Sequence, residues 1–293
     1  MRKHPVIFGM FLLVAIFVLF FIIVFGIATF TGERSSFSLR DKVAMVMVEG
    51  VIKDSSPVVD QLIKHGKDNS IKAVVLRIDS PGGGVVPSQE IYKAVLSLKK
   101  KKKVVVSMGS VAASGGYYIA CAADKIVANP GTITGSIGVI AHFSNMEELL
   151  KKIGLKPSTI KSGRYKDVGS PLREMTPEEE RLIQGVVDDI YDQFIESISA
   201  NRNISKETIA GIADGRIFTG RQALKMGLVD FLGDRGYAIN LAAKLSGIKG
   251  EPEVVYPAEK EFKLWRYIVS EMVSTVVSEL REKGSGISYL YLN

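Results

Sequence analysis

The sequence predicts an α/β fold, one folded body carried behind a single N-terminal transmembrane helix. Three observations point to it. Short apolar, β-branched runs alternate with stretches of helical periodicity, which implies parallel strands joined by crossover helices. Glycine-rich segments fall where those runs end, the place where open parallel sheets put their sites. An uncharged run, residues 5–30, precedes everything else.

That run can cross the hydrocarbon core of a bilayer, which takes about 20 residues as a helix. A cleavable signal peptide has an apolar region of roughly 7–15 residues, so the length favours an uncleaved anchor. It covers residues 1–32 and spans about 5–30, with Gly26-Ile27-Ala28 left as a candidate cleavage site. Arg2 and Lys3 precede the span and stay in the cytoplasm. The chain is then expected to be a single-pass protein of the cytoplasmic (inner) membrane, N-terminus inside and folded domain outside. Residues 33–41 are polar and read as a stalk.

The folded domain is assigned to residues 42–258. Residues 42–48 (KVAMVMV), 73–78 (AVVLRI) and 104–108 (VVVSM) read as strands, with helices near 58–65 and 87–99 between them. Further strands are expected at 125–128 and 156–162, with a helix at 146–153. Thr176-Pro177-Glu178-Glu179 is a helix start with its cap, its first-turn proline and its acids, and the helix should run to about Asn201. Leu182, Ile183, Val186, Val187, Ile190, Phe194 and Ile198 recur at three-to-four spacing, so one face should be buried. Short helices follow around 221–226 and 237–245. Residues 259–293 read as an amphipathic helix and tail, its apolar stripe suited to core or partner packing or to a membrane surface.

Composition narrows the function. Hydrophobic residues make up 46% and charged residues 24%, ordinary for a globular protein once the apolar N-terminus is set aside. One cysteine, Cys121, excludes an intramolecular disulfide, and its apolar neighbours suggest a buried thiol. Three scattered histidines make no zinc motif, so neither metal nor cofactor is implied. The net charge of +7 owes much to the lysine run 99–103. Such a run without interleaved aromatics fits a solvated helix end and does not indicate nucleic acid; anionic membrane lipid is the other partner it fits.

Three glycine-rich segments carry the candidate chemistry. Asp79-Ser80-Pro81-Gly82-Gly83-Gly84 can turn with its amides outward as an oxyanion nest, or be a tight turn and nothing more. In 109–117 (GSVAASGGY), Ser114 sits among small residues ahead of an apolar helix, placed to be a nucleophile or a helix N-cap. Thr134-Gly135-Ser136-Ile137-Gly138 is the third. Downstream lies Ser162-Gly163-Arg164-Tyr165-Lys166-Asp167, where a loop lysine is by default a solvated charge.

In combination and in this order, the segments resemble the short, single-repeat form of signal peptide peptidase A, a relative of the ClpP/crotonase fold, from about Lys42 to Leu245. The resemblance implies a domain of repeated β-β-α/β-α-β units and a serine endopeptidase acting on apolar peptides such as remnant signal peptides. It implies Ser114 as nucleophile, Lys166 as general base, Ser136 as the residue orienting that lysine, and Gly83 and Gly115 as the oxyanion hole. It also implies a homo-oligomeric ring in which serine and lysine can come from neighbouring chains.

A lysine ammonium, with a reference pKa of about 10.4, cannot act as a base until water and nearby anions are removed, and Asp167 must therefore point away from it. His142 offers a rival Ser/His arrangement that leaves the Thr-Gly-Ser-Ile-Gly and lysine segments unexplained. Two further alternatives are a membrane protease of the same fold that serves a stomatin-like partner, and a silent peptide-binding scaffold.

Overall fold

The computed structural model describes residues 16–20, 22 and 41–257. The chain divides at Arg40/Asp41 into two units. Of the first, Ile16 to Phe20 and Ile22 are helical and exposed, and no helix among the described residues is long and apolar enough to cross a membrane. Most of the expected span, and the expected amphipathic helix of 259–293, lie outside the described residues.

The second unit is an α/β domain. Its central strands β1 (Lys42–Glu49), β2 (Ile71–Ser80) and β3 (Lys103–Ala113) are parallel, with Val46 opposite Leu76 and Leu76 opposite Val106. The crossovers are α1 (Ser56–Lys67) and α2 (Val85–Lys99). Beyond β3 the sheet branches to β4 (Lys125–Ala128) and β5 (Ile133–Gly135). β6 (Ile217–Thr219) joins β5 antiparallel, β7 (Phe231–Leu232) joins β4, and β8 (Glu253–Val255) closes the far edge on β1. The sheet is thus mixed, as expected of an α/β fold near the ClpP type.

The central strands are apolar at nearly every position because both faces are covered. Ala44, Val46, Val74, Leu76, Val104 and Val106 belong to the core that includes α1, α2 and α3 (Gly115–Ala120). Their sequence neighbours Val43, Met45, Ala73, Val75 and Val105 pack with α8 (Arg235–Leu245) on the other side. The period-two alternation of a strand therefore divides one apolar run between two layers.

The remaining helices are α4 (Glu147–Lys152), α5 (Pro177–Arg202), α6 (Lys206–Ala210) and α7 (Gly220–Lys225). α5 opens on the expected cap. Thr176 Oγ1 accepts from the Glu179 N–H, and the Glu179 carboxylate accepts from the Thr176 N–H at 2.9 Å. It ends on Asn203 in the left-handed region.

Two expectations are corrected. Residues 156–162 form no strand: no ladder partner lies beside them, and Ile160 is fully exposed. The apolar face of α5 is buried in its C-terminal half alone. Phe194, Ile195 and Ile198 enter the core, whereas Leu182 and Val186 are 45% and 53% exposed.

Candidate active site

The C-terminal ends of β2, β3 and β5 converge on Ser114. Between Ile78 and Ser80, β2 advances two residues while β3 advances four, from Met108 to Ala112. The extra residues form a bulge held by Asp79, whose carboxylate accepts from the Val111 N–H at 3.1 Å. The bulge lets β3 change neighbours, pairing with β4 through Val105–Ser107 and with β5 through Val111–Ala113. Thr132 and Thr134 fasten the new neighbour, their hydroxyls donating to the carbonyls of Gly109 (2.8 Å) and Ala112 (2.6 Å).

Ser114 stands where β3 stops and α3 starts. Its N–H donates to the Gly135 carbonyl at 2.8 Å, and its carbonyl accepts from the Tyr118 N–H at 2.9 Å. Meeting both demands forces φ to 50° and ψ to −121°, a conformation few non-glycine residues adopt. The hydroxyl caps no backbone N–H. Ser114 thus holds the N-cap position of α3 without capping it through its side chain, at a sharp strand-to-helix turn. Ser136 follows Gly135 as Ser114 follows Ala113, and Ala113 and Gly135 are the last pair of the β3–β5 ladder. Ser136 is also at positive φ, 48°, with its N–H on the Arg216 carbonyl at 2.8 Å.

The turn after β2 presses against this elbow. Ile52 N–H donates to the Gly82 carbonyl and Gly84 N–H to the Ile52 carbonyl, at 2.9 and 2.8 Å, so the Gly83 N–H faces away from Ile52. Gly115 is the first residue of α3, where an N–H has no intrahelical acceptor. A Cβ built on Gly115 would lie 3.3 Å from the Gly83 nitrogen, a measure of how closely the two segments meet. Gly83 itself has no room for a side chain, since its Cβ would fall 2.2 Å from the Ile52 carbonyl oxygen. Gly83→Ala is expected to cost about 1–3 kcal/mol, read as a lowered denaturant midpoint; an unchanged midpoint would show the turn to be looser than described.

Gly83, Ser114 and Gly115 line one cavity of about 110 Å³. Its other walls are largely apolar: Val85, Tyr118, Val139, Ile140, Ile190 and Phe194. Tyr118 packs edge-on against Phe194 with ring centroids 5.0 Å apart, and against Tyr92 at 4.9 Å. Phe194 is both a core residue and a wall of this cavity, and Ile190 lies four residues before it on α5; such spacing cannot distinguish a cavity wall from a packed face.

A hydroxyl at a strained turn, two adjacent glycine amides and an apolar cavity form a hydrolase constellation, and comparison with known proteins agrees. Residues 97–249 match the model of peptidase family S49. The chain belongs to peptidase family S49. Residues 33–132 also match the Clp protease model, and the overlap of the two matches contains Ser114. A Synechocystis sp. protein provisionally named a protease is 48% identical over 212 residues, 72% of this chain and 76% of that relative. An Enterococcus faecium protein provisionally named a signal peptide peptidase is 39% identical over 206 residues, 66% of this chain and 60% of the relative. Protease 4 of Haemophilus influenzae is 37% identical over 221 residues, 71% of this chain but 35% of that protein.

In this S49 peptidase, Gly83, Ser114 and Gly115 line one cavity, whereas neither Ser136 nor Lys166 is among the residues that line it. Lys166 is exposed in a turn, with its N–H on the Gly163 carbonyl at 3.2 Å, and its ammonium makes no hydrogen bond or ion pair among the described residues. His142 is exposed and likewise unpaired among them. Asp167 does point away from its neighbour, as expected: its carboxylate is held by Arg173 and Lys161.

Arg173 first, then Lys161, holds the Asp167 carboxyl well below the usual range, and Arg173 with the Thr176 N–H draws Glu179 down to about 2. Ordinary carboxylates titrate near about 4, so both groups favour the folded state above that pH. Their contribution is lost as pH falls from about 4 toward about 2. Glu179→Gln should therefore lower stability at neutral pH and flatten the decline below pH ~4 in an acid titration; an unchanged slope would exclude this linkage.

Proposed function

We propose that this peptidase is a serine endopeptidase anchored in the cytoplasmic membrane, its catalytic domain outside. It hydrolyses apolar peptides, remnant signal peptides among them, with Ser114 as nucleophile and Lys166 as general base. The observation that carries the reading is the strained Ser114 turn opening on an apolar cavity beside the Gly83 and Gly115 amides. The apolar walls suit a hydrophobic side chain next to the scissile bond. The name of the Enterococcus faecium relative supports the substrate class, and the uncharged run 5–30 supports the anchor.

In the proposed cycle, the neutral Lys166 amine takes the Ser114 hydroxyl proton as Oγ attacks the peptide carbonyl. The Gly83 and Gly115 amides receive the oxyanion. The resulting ammonium returns its proton to the leaving amine, and water then releases the acyl group from Oγ by the same route in reverse. Ser136, one residue beyond the end of the β3–β5 ladder, holds the lysine amine in line.

This chemistry needs a desolvated amine, and Lys166 is exposed in the single chain. In the stretch leading up to it, Ile140, Phe143, Leu149, Ile153, Leu155 and Ile160 are all exposed, as are Leu182 and Val186 on α5. Apolar surface on that scale marks an interface. We propose a homo-oligomeric ring in which this surface is covered by the next chain and the Lys166 of one chain meets the Ser114 of its neighbour. The test is hydrolysis of an internally quenched apolar peptide by the purified chain and by Ser114→Ala, Lys166→Ala and His142→Ala.

A further inference from the structure

The guanidinium of Arg173 has every donor occupied. Nε donates to Asp167 Oδ2 at 2.9 Å. One terminal nitrogen donates to Asp167 Oδ1 and Glu179 Oε1, at 2.9 and 2.6 Å. The other donates to Glu179 Oε2 and the Glu174 carbonyl, at 2.8 and 3.0 Å. The guanidinium thus meets two carboxylates, each gripped by two nitrogens, and the backbone oxygens of Glu174 (3.0 Å) and, more distantly, Asp167 (3.5 Å). The two carboxylates belong to different structures. Glu179 is the buried third residue of α5, locked to its cap at Thr176. Asp167 directly follows Lys166.

The other charged or polar side chains flanking Lys166 are also tied. Arg164 and Tyr165 both bind Glu178 in the first turn of α5, and Lys161 binds Asp167. From α4, Glu147 accepts from the Glu174 N–H at 2.9 Å and pairs with Lys151. Of the cations between Lys161 and Arg173, Lys166 is the one left untied among the described residues, and it is mounted through its neighbours on the start of α5. The same helix supplies Ile190 and Phe194 to the cavity beside the nucleophile.

From this geometry we infer that Arg173 is a positioning residue for catalysis: it fixes the lysine loop to α5 and keeps the Asp167 carboxylate from pairing with Lys166. The inference rests on Lys166 being the general base. An ammonium beside a free carboxylate holds its proton more tightly, so an unclamped Asp167 would keep the base protonated to higher pH. A lysine at position 173 cannot reproduce the fork, because its single nitrogen cannot meet each of two carboxylates with two nitrogens and the Glu174 carbonyl besides.

The experiment is the pH profile of kcat/KM for an apolar peptide, measured on the full chain. Arg173→Gln should move the acidic limb to higher pH by about 1 unit, which is a tenfold loss of rate at a fixed pH on that limb. Adding Asp167→Asn in the same chain should bring the limb back, whereas a purely structural role predicts a uniform loss that Asp167→Asn does not repair. If thermal melts show Arg173→Gln unfolded, Arg173→Lys is read instead and should show a smaller displacement in the same direction, with the same rescue. A limb that stays in place in the folded Arg173 variants overturns the inference. Lys166→Ala separates the two levels: turnover surviving in that variant removes the base assignment itself, whereas an inactive Lys166→Ala with an unmoved Arg173 limb removes the role of Arg173 alone.

Discussion

Ser114→Ala is expected to lower turnover of an apolar peptide by about 10⁴–10⁶-fold, and Lys166→Ala by a similar factor. Losing the hydroxyl removes the atom that is acylated; losing the amine leaves a hydroxyl with no acceptor for its proton. Because the two act as one unit, the double variant should be no slower than the worse single variant. The remaining rate above water would come from the Gly83 and Gly115 amides and from binding in the apolar cavity. His142→Ala should hydrolyse the peptide at the parent rate, since its imidazole touches neither serine among the described contacts. The wild-type rate should rise into the alkaline range, whereas a histidine base would bring it up near about pH 6.5. Full turnover in Lys166→Ala, with none in His142→Ala, would transfer the base to histidine and leave the Ser114 turn as the surviving part of the mechanism.

How much of this was legible follows from which forces leave periodic traces. The strand 125–128 was read at its observed bounds and β1 to within one residue, because burial of both faces leaves an unbroken apolar run. The start of α5 was read from its cap, a local device that needs no tertiary partner. β3 was read as ending at Met108, yet it continues to Ala113. Its second half holds Gly109 and Ser110, and what keeps it extended is the Asp79 carboxylate and two threonine hydroxyls, contacts made across the sheet.

The same limit applies to the site. That the segments carrying Ser114 and Ser136 pair through Ala113 and Gly135 is a matter of ladder register, which spacing alone does not reveal. Arg173 left no trace in the sequence, being one arginine in a polar loop whose partners become visible when the fold brings them together. The exposed half of α5 shows the converse. Leu182 and Val186 lie on the same helical stripe as Ile198, but one end of the stripe meets this chain's core and the other does not.

The exposed end and the exposed lysine lead to the second large effect, restoration of activity by mixing two inactive proteins. Ser114→Ala chains keep Lys166, and Lys166→Ala chains keep Ser114. If each site draws its serine from one chain and its lysine from the next around a ring, random assembly of equal amounts rebuilds both groups at about a quarter of the interfaces. Turnover should then rise from near zero to about a quarter of the wild-type value, provided the chains are dissociated and reassembled together. If both groups come from one chain, every site in the mixture lacks one of them and mixing restores nothing. Activity regained on mixing would also explain why the amine is exposed in the single chain: the neighbour supplies both the hydroxyl and the apolar cover that strips water from the ammonium. A mixture shown by tagged-subunit capture to have co-assembled, yet still inactive, would rule out pairing across the interface and require the loop from Val139 to Arg173 to fold back over its own chain's Ser114.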